Sequence, residues 1–182
     1  KAMKQLYRVR LLIADEIAHE QMEPGTLCYK KLHGLFSEND IWRSDGSIDR
    51  PALAKLLFSD EEKRKQLNGI VHPAVKEYIL GEVEKERQAG IYDYVIVEAA
   101  LLIEEHYDEL CDELWYVYAS EETRKQRLMT DRGYSAQKVD QIFAAQLPED
   151  VYRQHCAVVI DNDRDMDDVL QQITKLYANE EK

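Results

Sequence analysis

Apolar residues recur along the chain in two rhythms. Nearly continuous apolar runs occupy residues 7–14, 94–98, 113–118 and 157–160, and runs of that length predict buried β-strands. Between them the apolar positions fall at helical spacing, which predicts helices over 16–21, 27–36, 51–58, 60–68 and 73–88. Lys1 to Leu6 reads as the last turns of a helix. Asp15 is placed to cap the helix that follows the first strand, and Glu23-Pro24-Gly25-Thr26 forms a turn that ends on a new N-cap. Ser44-Asp45-Gly46-Ser47 is a turn by composition. After the third strand a basic helix leads through Gly133-Tyr134-Ser135 into a second helix ending near Gln146. The chain closes on a stripe of Met166, Val169, Leu170, Ile173, Leu176 and Tyr177 with the spacing of a core-facing helix. Strands that alternate with helices require crossover connections, so the predicted class is α/β, a parallel sheet sandwiched by helices.

Composition narrows this further. With 45% apolar and 33% charged residues, seven Gly and four Pro in 182 residues, the chain is too apolar for disorder and too poor in turn residues for an all-β sandwich. A single domain spanning 1–182 is expected. No run of about 18 apolar residues occurs and the first residues lack the apolar stretch of an export signal, so a cytoplasmic protein without membrane partners is expected. Cys28, Cys111 and Cys156 have no metal-ligand spacing, and their odd number fits a reduced compartment. A net charge of −12 argues against nucleic acid as a partner but leaves room for a small anion in a local cationic pocket. Oligomeric state leaves no trace in the sequence.

In open parallel sheets ligands gather at the carboxyl ends of the strands. That rule selects Asp15, Glu98 with Leu101 close behind it, Ser120, and Asp161 with Asn162. Two acids at neighbouring strand ends suit a base for a substrate hydroxyl and an outer-shell partner for Mg²⁺, while a helix cap and a solvated strand end remain open for them as structural roles. Arg124, Lys125, Arg127 and Arg132 form the one dense cationic segment, suited to a transferring phosphoryl group. Alternatively, Arg127 and Asp131 stand i, i+4 and would simply pair with each other.

The order and spacing of several short segments are specific when taken together. They are Ala14-Asp15-Glu16-Ile17-Ala18-His19, Glu23-Pro24-Gly25-Thr26, Asp45-Gly46-Ser47-Ile48-Asp49-Arg50, Phe58 with Asp60-Glu61-Glu62-Lys63-Arg64, and Leu67-Asn68-Gly69-Ile70-Val71-His72-Pro73. Leu101-Leu102-Ile103-Glu104, Arg127-Leu128-Met129, Ala144-Ala145-Gln146-Leu147-Pro148 and Val159-Ile160-Asp161-Asn162 follow. Over nearly the whole chain this series resembles the dephospho-coenzyme A kinases, P-loop kinases of the nucleoside-monophosphate-kinase type. The resemblance implies transfer of the γ-phosphate of ATP, with Mg²⁺, to the ribose 3′-hydroxyl of dephospho-coenzyme A, the last step of coenzyme A synthesis. It implies Asp15 as the base, Arg127 and Arg132 facing the phosphates from a helical lid at 121–150, and Asp161 and Asn162 beside the adenine. His72, Glu98 and Leu101 would meet the acceptor, received by a helical region at 23–90. A hydrogen-bonded structural role stays open for His72.

The sequence departs from the family pattern in places. No GxxxxGK[ST] loop occurs, although it supplies the backbone cradle, lysine and hydroxyl that hold phosphate and metal in such kinases. A first strand and that loop are expected immediately upstream of Lys1, and whether residues are also missing between Leu6 and Ala14 is left open by the sequence. Ile13-Ala14-Asp15 stands where the family has Asp-Ala-Asp, Ala100 replaces a proline, and Asp131 takes the place of a second lid arginine, with Arg132 one position later and turned by about 100° on an ideal helix. Two other readings are another P-loop nucleoside or nucleotide kinase, and a non-catalytic binding relative. The long acceptor region at 23–73 speaks against the first, and a true absence of the loop would support the second.

Overall fold

The computed structural model describes residues 1–178. In chain order the elements are α1 (Met3–Leu6), β1 (Val9–Ile13), α2 (Ala14–Gln21), α3 (Leu27–Phe36), α4 (Arg50–Ser59), α5 (Glu61–Ala89) and β2 (Tyr94–Glu98). They continue with β3 (Trp115–Tyr118), α6 (Glu121–Asp131), α7 (Ala136–Ala144), α8 (Glu149–His155), β4 (Val158–Asp161) and α9 (Met166–Ala178). They fall into two compact units, one of residues 7–100 and one of residues 1–6 with 101–178.

In the unit of residues 7–100, β1 and β2 pair in parallel, Val9 opposite Tyr94 and Ile13 opposite Glu98, and residues 14–93 form the helical crossover. The N-cap side chains follow the sequence. Thr26 accepts the Tyr29 N–H at 3.0 Å, as expected, and Asp49 and Asp60 do the same for Ala52 and Lys63, each at 3.0 Å. The predicted turn at 44–47 is present. There Gly46 takes φ 83°, a left-handed value that glycine reaches without a Cβ penalty, and Trp42 bridges Ile48 across the turn.

Helix α5 corrects the sequence expectation most. Two helices are expected to break before Pro73, yet one helix of 29 residues runs through it. An interior proline forfeits a backbone hydrogen bond and crowds the carbonyl four residues earlier, at a cost of ~3 kcal/mol. Against that, Leu67, Val71, Val75 and Ile79 form an unbroken i, i+4 stripe, all buried. Each such side chain is worth about 1.5–3 kcal/mol when buried, so the stripe outweighs the proline. Consequently His72 lies in mid-helix and not at a helix start. Helices α2, α3 and α4 all pack on α5. Leu32 and Phe36 at 1% exposure form the centre of this core with Cys28 and Ile17.

In the other unit β3 and β4 pair in parallel, Trp115 opposite Val158 and Tyr118 opposite Asp161, connected through α6, α7 and α8. The parallel α/β expectation is thus met as two strand pairs among the described residues. Helix α8 is not expected from the sequence, because seven residues after Pro148 are too few to show a period. Val169 and Ile173 of α9 are buried, as its stripe predicts. Helix α6 has no fully buried residue.

Candidate functional site

The first group of predicted residues sits at the carboxyl end of β1 and β2. Ile13 keeps an extended backbone and α2 starts at Ala14 without a linker, so the N-cap position is Ile13 and it has no side-chain cap. Asp15 therefore does not cap α2, contrary to that structural expectation, and is instead an exposed residue of its first turn. The free N–H groups of a first turn favour a negative side chain. Glu98, also exposed, is in register with Ile13, two residues before Asp15. Both acids thus stand at the same end of this strand pair.

Further along α2 a cleft of about 300 Å³ opens between α2, α3 and α5, lined by Gln21, Leu27, Cys28, Lys31, Ile70, Pro73, Glu77 and Tyr78 among others. Gln21 is six residues from Asp15, about 9 Å along the helix axis. Half-buried His72 precedes the lining pair Pro73 and Ala74. Burial pushes the Cys28 thiol up, with the Lys31 charge opposing it in part. Lys31 and Tyr78, absent from the sequence reading, line this cleft because α3 packs on α5.

The residues expected to serve as lid and nucleotide contacts lie in the other unit, where Leu101 is also found, 42% exposed. Arg127 of α6 is half-buried and its Nη2 donates to the carbonyl of Asn162 at 2.8 Å. This replaces the i, i+4 pair with Asp131 left open by the sequence, since Asp131 instead accepts from Thr130 Oγ1 at 3.1 Å. Arg132 occupies the C-cap of α6 and is exposed, and Gly133 with φ 64° turns the chain away. Arg124 donates to Gln146 Oε1 at 2.7 Å and lies 4.6 Å over the Phe143 ring, with its Nε buried and unpartnered.

Asp161 ends β4 with its backbone clamped by Gln172, whose Nε2 donates to its carbonyl at 2.8 Å and whose Oε1 accepts its N–H at 2.9 Å. The neighbouring Asn162 N–H donates to the Tyr118 carbonyl at 2.8 Å. Asp163, absent from the sequence reading, accepts from both the N–H (2.8 Å) and Oγ (2.9 Å) of Ser120, the N-cap of α6. The hydrogen bond from the Ser120 N–H, with Thr123, Ser120 Oγ and the Arg127 charge adding to it, holds the Asp163 carboxyl below the usual range. The Asp-Asn-Asp run after a strand was the available signal, but its partner stands 43 residues away.

A family model described as dephospho-CoA kinase matches residues 1–168. The chain belongs to the dephospho-CoA kinase family. Curated dephospho-CoA kinases include one from Geobacter sulfurreducens, 34% identical over 165 residues, covering 91% of this chain and 83% of its relative. One from Arabidopsis thaliana is 32% identical over 163 residues, covering 90% and 69%. Among solved structures, that of TT1252 from Thermus thermophilus superposes with a TM-score of 0.79 at 28% identity over 98% of this chain and 87% of that one. A dephospho-CoA kinase from Campylobacter jejuni shares the fold, with a TM-score of 0.68 at 22% identity over 97% and 86%. The P-loop kinase class expected from the sequence is therefore that of its relatives, and ATP is the family's phosphate donor.

Proposed function

We propose that this chain performs its family's reaction on dephospho-coenzyme A, with Asp15 as the group that orients the ribose 3′-hydroxyl and takes its proton. The observation that carries this is the place of Asp15: an exposed carboxylate in the first turn of a helix that springs directly from the end of β1, with Glu98 in register with Ile13 at the same strand end and an open cleft further along the same helix. A proton acceptor has to reach substrate, and an acid with no capping duty is free to do so. The helical region at 23–90 receives the acceptor, with His72, Glu98 and Leu101 as contacts. The segment at 121–150 is the lid, carrying Arg127 and Arg132 toward the phosphates, and Asp161 and Asn162 line the adenine side. All of these belong to one kinase domain spanning 1–182.

Transfer of a phosphoryl group is driven by positioning and by charge placed where negative charge spreads. Arg127 supplies a fixed positive charge, and Asp15 removes the proton that attack by the hydroxyl releases. Among the described residues no three His, Cys, Asp or Glu side chains come together to hold a metal ion. The described residues thus offer no metal cage, and Mg²⁺ is proposed to enter on the ATP phosphates with its own waters. Three free cysteines support a reducing, cytoplasmic setting. Among the described residues no helix is long and apolar enough to cross a membrane.

The test is phosphate transfer by the full-length protein from ATP to dephospho-coenzyme A, set against AMP and adenosine as acceptors. Transfer confined to dephospho-coenzyme A supports the assignment. Transfer to the simple nucleosides or nucleotides points to another P-loop kinase, and binding without any transfer to a non-catalytic relative.

A further inference from the structure

The turn after β4 and the root of the lid are joined at three places. The Asn162 N–H meets the Tyr118 carbonyl at 2.8 Å, the Asn162 carbonyl takes Arg127 Nη2 at 2.8 Å, and Asp163 Oδ1 takes both Ser120 donors. Ser120 in turn caps α6, its Oγ accepting the Thr123 N–H at 3.3 Å. The Asp163 N–H donates back to Asp161 Oδ1 at 2.9 Å, which closes the turn on itself. Helix α6 has no fully buried residue: Arg124 over the Phe143 ring and Lys125 on Asp140 tie it to α7, and the contacts above tie its start to the β4 turn.

We propose that Asp163 is a positioning residue that sets the lid arginine: by gripping Ser120 it fixes the start of α6 against the β4 turn and keeps the Arg127 guanidinium on the Asn162 carbonyl. The inference rests on the proposed role of Arg127 in phosphate transfer. Its geometry follows from helix spacing. Ser120 precedes α6 by one residue and Arg127 is seven residues on, so both lie on the same side of the helix, two turns apart. A carboxylate that holds the cap therefore also sets the angle at which the arginine leaves the helix. It follows that the adenine-side turn and the phosphate-side arginine behave as one bracket. Displacing the turn displaces the charge.

Two readouts test this in the full-length protein. The first is the ¹⁵N signal of the Arg127 guanidinium, assigned with Arg127→Lys. In the parent its Nη protons are expected as separate, slowly averaging resonances because Nη2 is held, and Asp163→Ala is expected to collapse them into one. Ser120→Ala, which removes one of the two donors, is expected to move the signal the same way but less. The second is a kinetic cycle. Asp163→Ala is expected to lower kcat by about tenfold with the acceptor KM unchanged, and to cost nothing further in an Arg127→Ala background. An unchanged guanidinium signal in Asp163→Ala, or kinetic losses that multiply in the double variant, would overturn the proposal. If the parent transfers no phosphate, the functional reading fails, while the guanidinium signal still decides whether Asp163 positions Arg127.

Discussion

The two units of this chain hold their candidate residues in opposite ways. In the unit of residues 7–100, α5 is a spine on which three other helices pack, Leu32 and Phe36 are 1% exposed, and the acids Asp15 and Glu98 are exposed at the strand ends. In the other unit, α6 buries no residue fully, Arg127 bonds the Asn162 carbonyl, and Asp163 accepts from Ser120 at the helix start. Apolar packing is non-directional, strong and hard to reverse, and it suits a surface that must hold a hydroxyl in line. Hydrogen bonds are directional and exchange with water at small net cost, which suits an element that opens and closes. The contrast predicts that stability resides with the first unit and adjustability with the second.

The sharpest way to break that contrast is to attack the packed side. Phe36→Ala is expected to destabilise the fold by ~3–5 kcal/mol, the range for emptying a large buried aromatic site. Leu128→Ala in half-buried α6 is expected to cost clearly less, and denaturant melts of the two would compare them. Equal losses would show the lid to be as firmly packed as the spine. Next in size is Arg127→Ala, expected to lower turnover by roughly 10²-fold with little change in melting temperature. Asp131→Ala is expected to change neither, because Asp131 bonds Thr130 and not the arginine. Arg132→Ala, at the exposed C-cap, is expected to fall between them. Steady-state kinetics of all three decide whether Arg127 acts on phosphate or only on the helix.

The smallest expected effect concerns the start of the β1–β2 pair. Asp93 accepts from the Arg8 backbone N–H at 2.9 Å and from the Arg8 guanidinium, chiefly through Nη2 at 2.5 Å, and the Arg8 bonds hold its carboxyl below the usual range. Because the folded value is lower than the unfolded one, its contribution is present above the ordinary carboxylate pKa of about 3.9 and is lost as pH falls through the folded value. Both groups are largely exposed, so solvent screening keeps the effect small. Thermal melts of the parent and Asp93→Asn are expected to differ slightly at pH 7 and to converge at pH 2.

Local patterns were legible wherever a segment answers to its own neighbours. The strand at 94–98 and the helix at 27–36 fall where the apolar rhythm puts them, and Thr26 caps as its turn implies. What misled was competition between local and tertiary terms. Pro73 is a strong local stop signal, and only the stripe from Leu67 to Ile79, buried by three other helices, overrides it. Asp15 reads as a cap until the backbone shows that Ile13 takes that position. Asp163 was invisible for another reason, since its partner Ser120 is 43 residues away and no periodicity couples them. The candidate residues at strand ends were selected by a rule of topology, which needs only the order of the strands.

Asp15 is proposed to act on the acceptor hydroxyl. Its most direct measurement is the turnover of Asp15→Asn in the full-length protein with ATP and dephospho-coenzyme A, alongside ATP affinity and melting temperature. Because Asp15 is exposed and caps nothing, folding and ATP binding are expected to stay close to the parent while turnover falls by roughly 10²-fold or more, the size of losing a positioned base. Unchanged turnover in a correctly folded, ATP-binding Asp15→Asn protein would contradict the account.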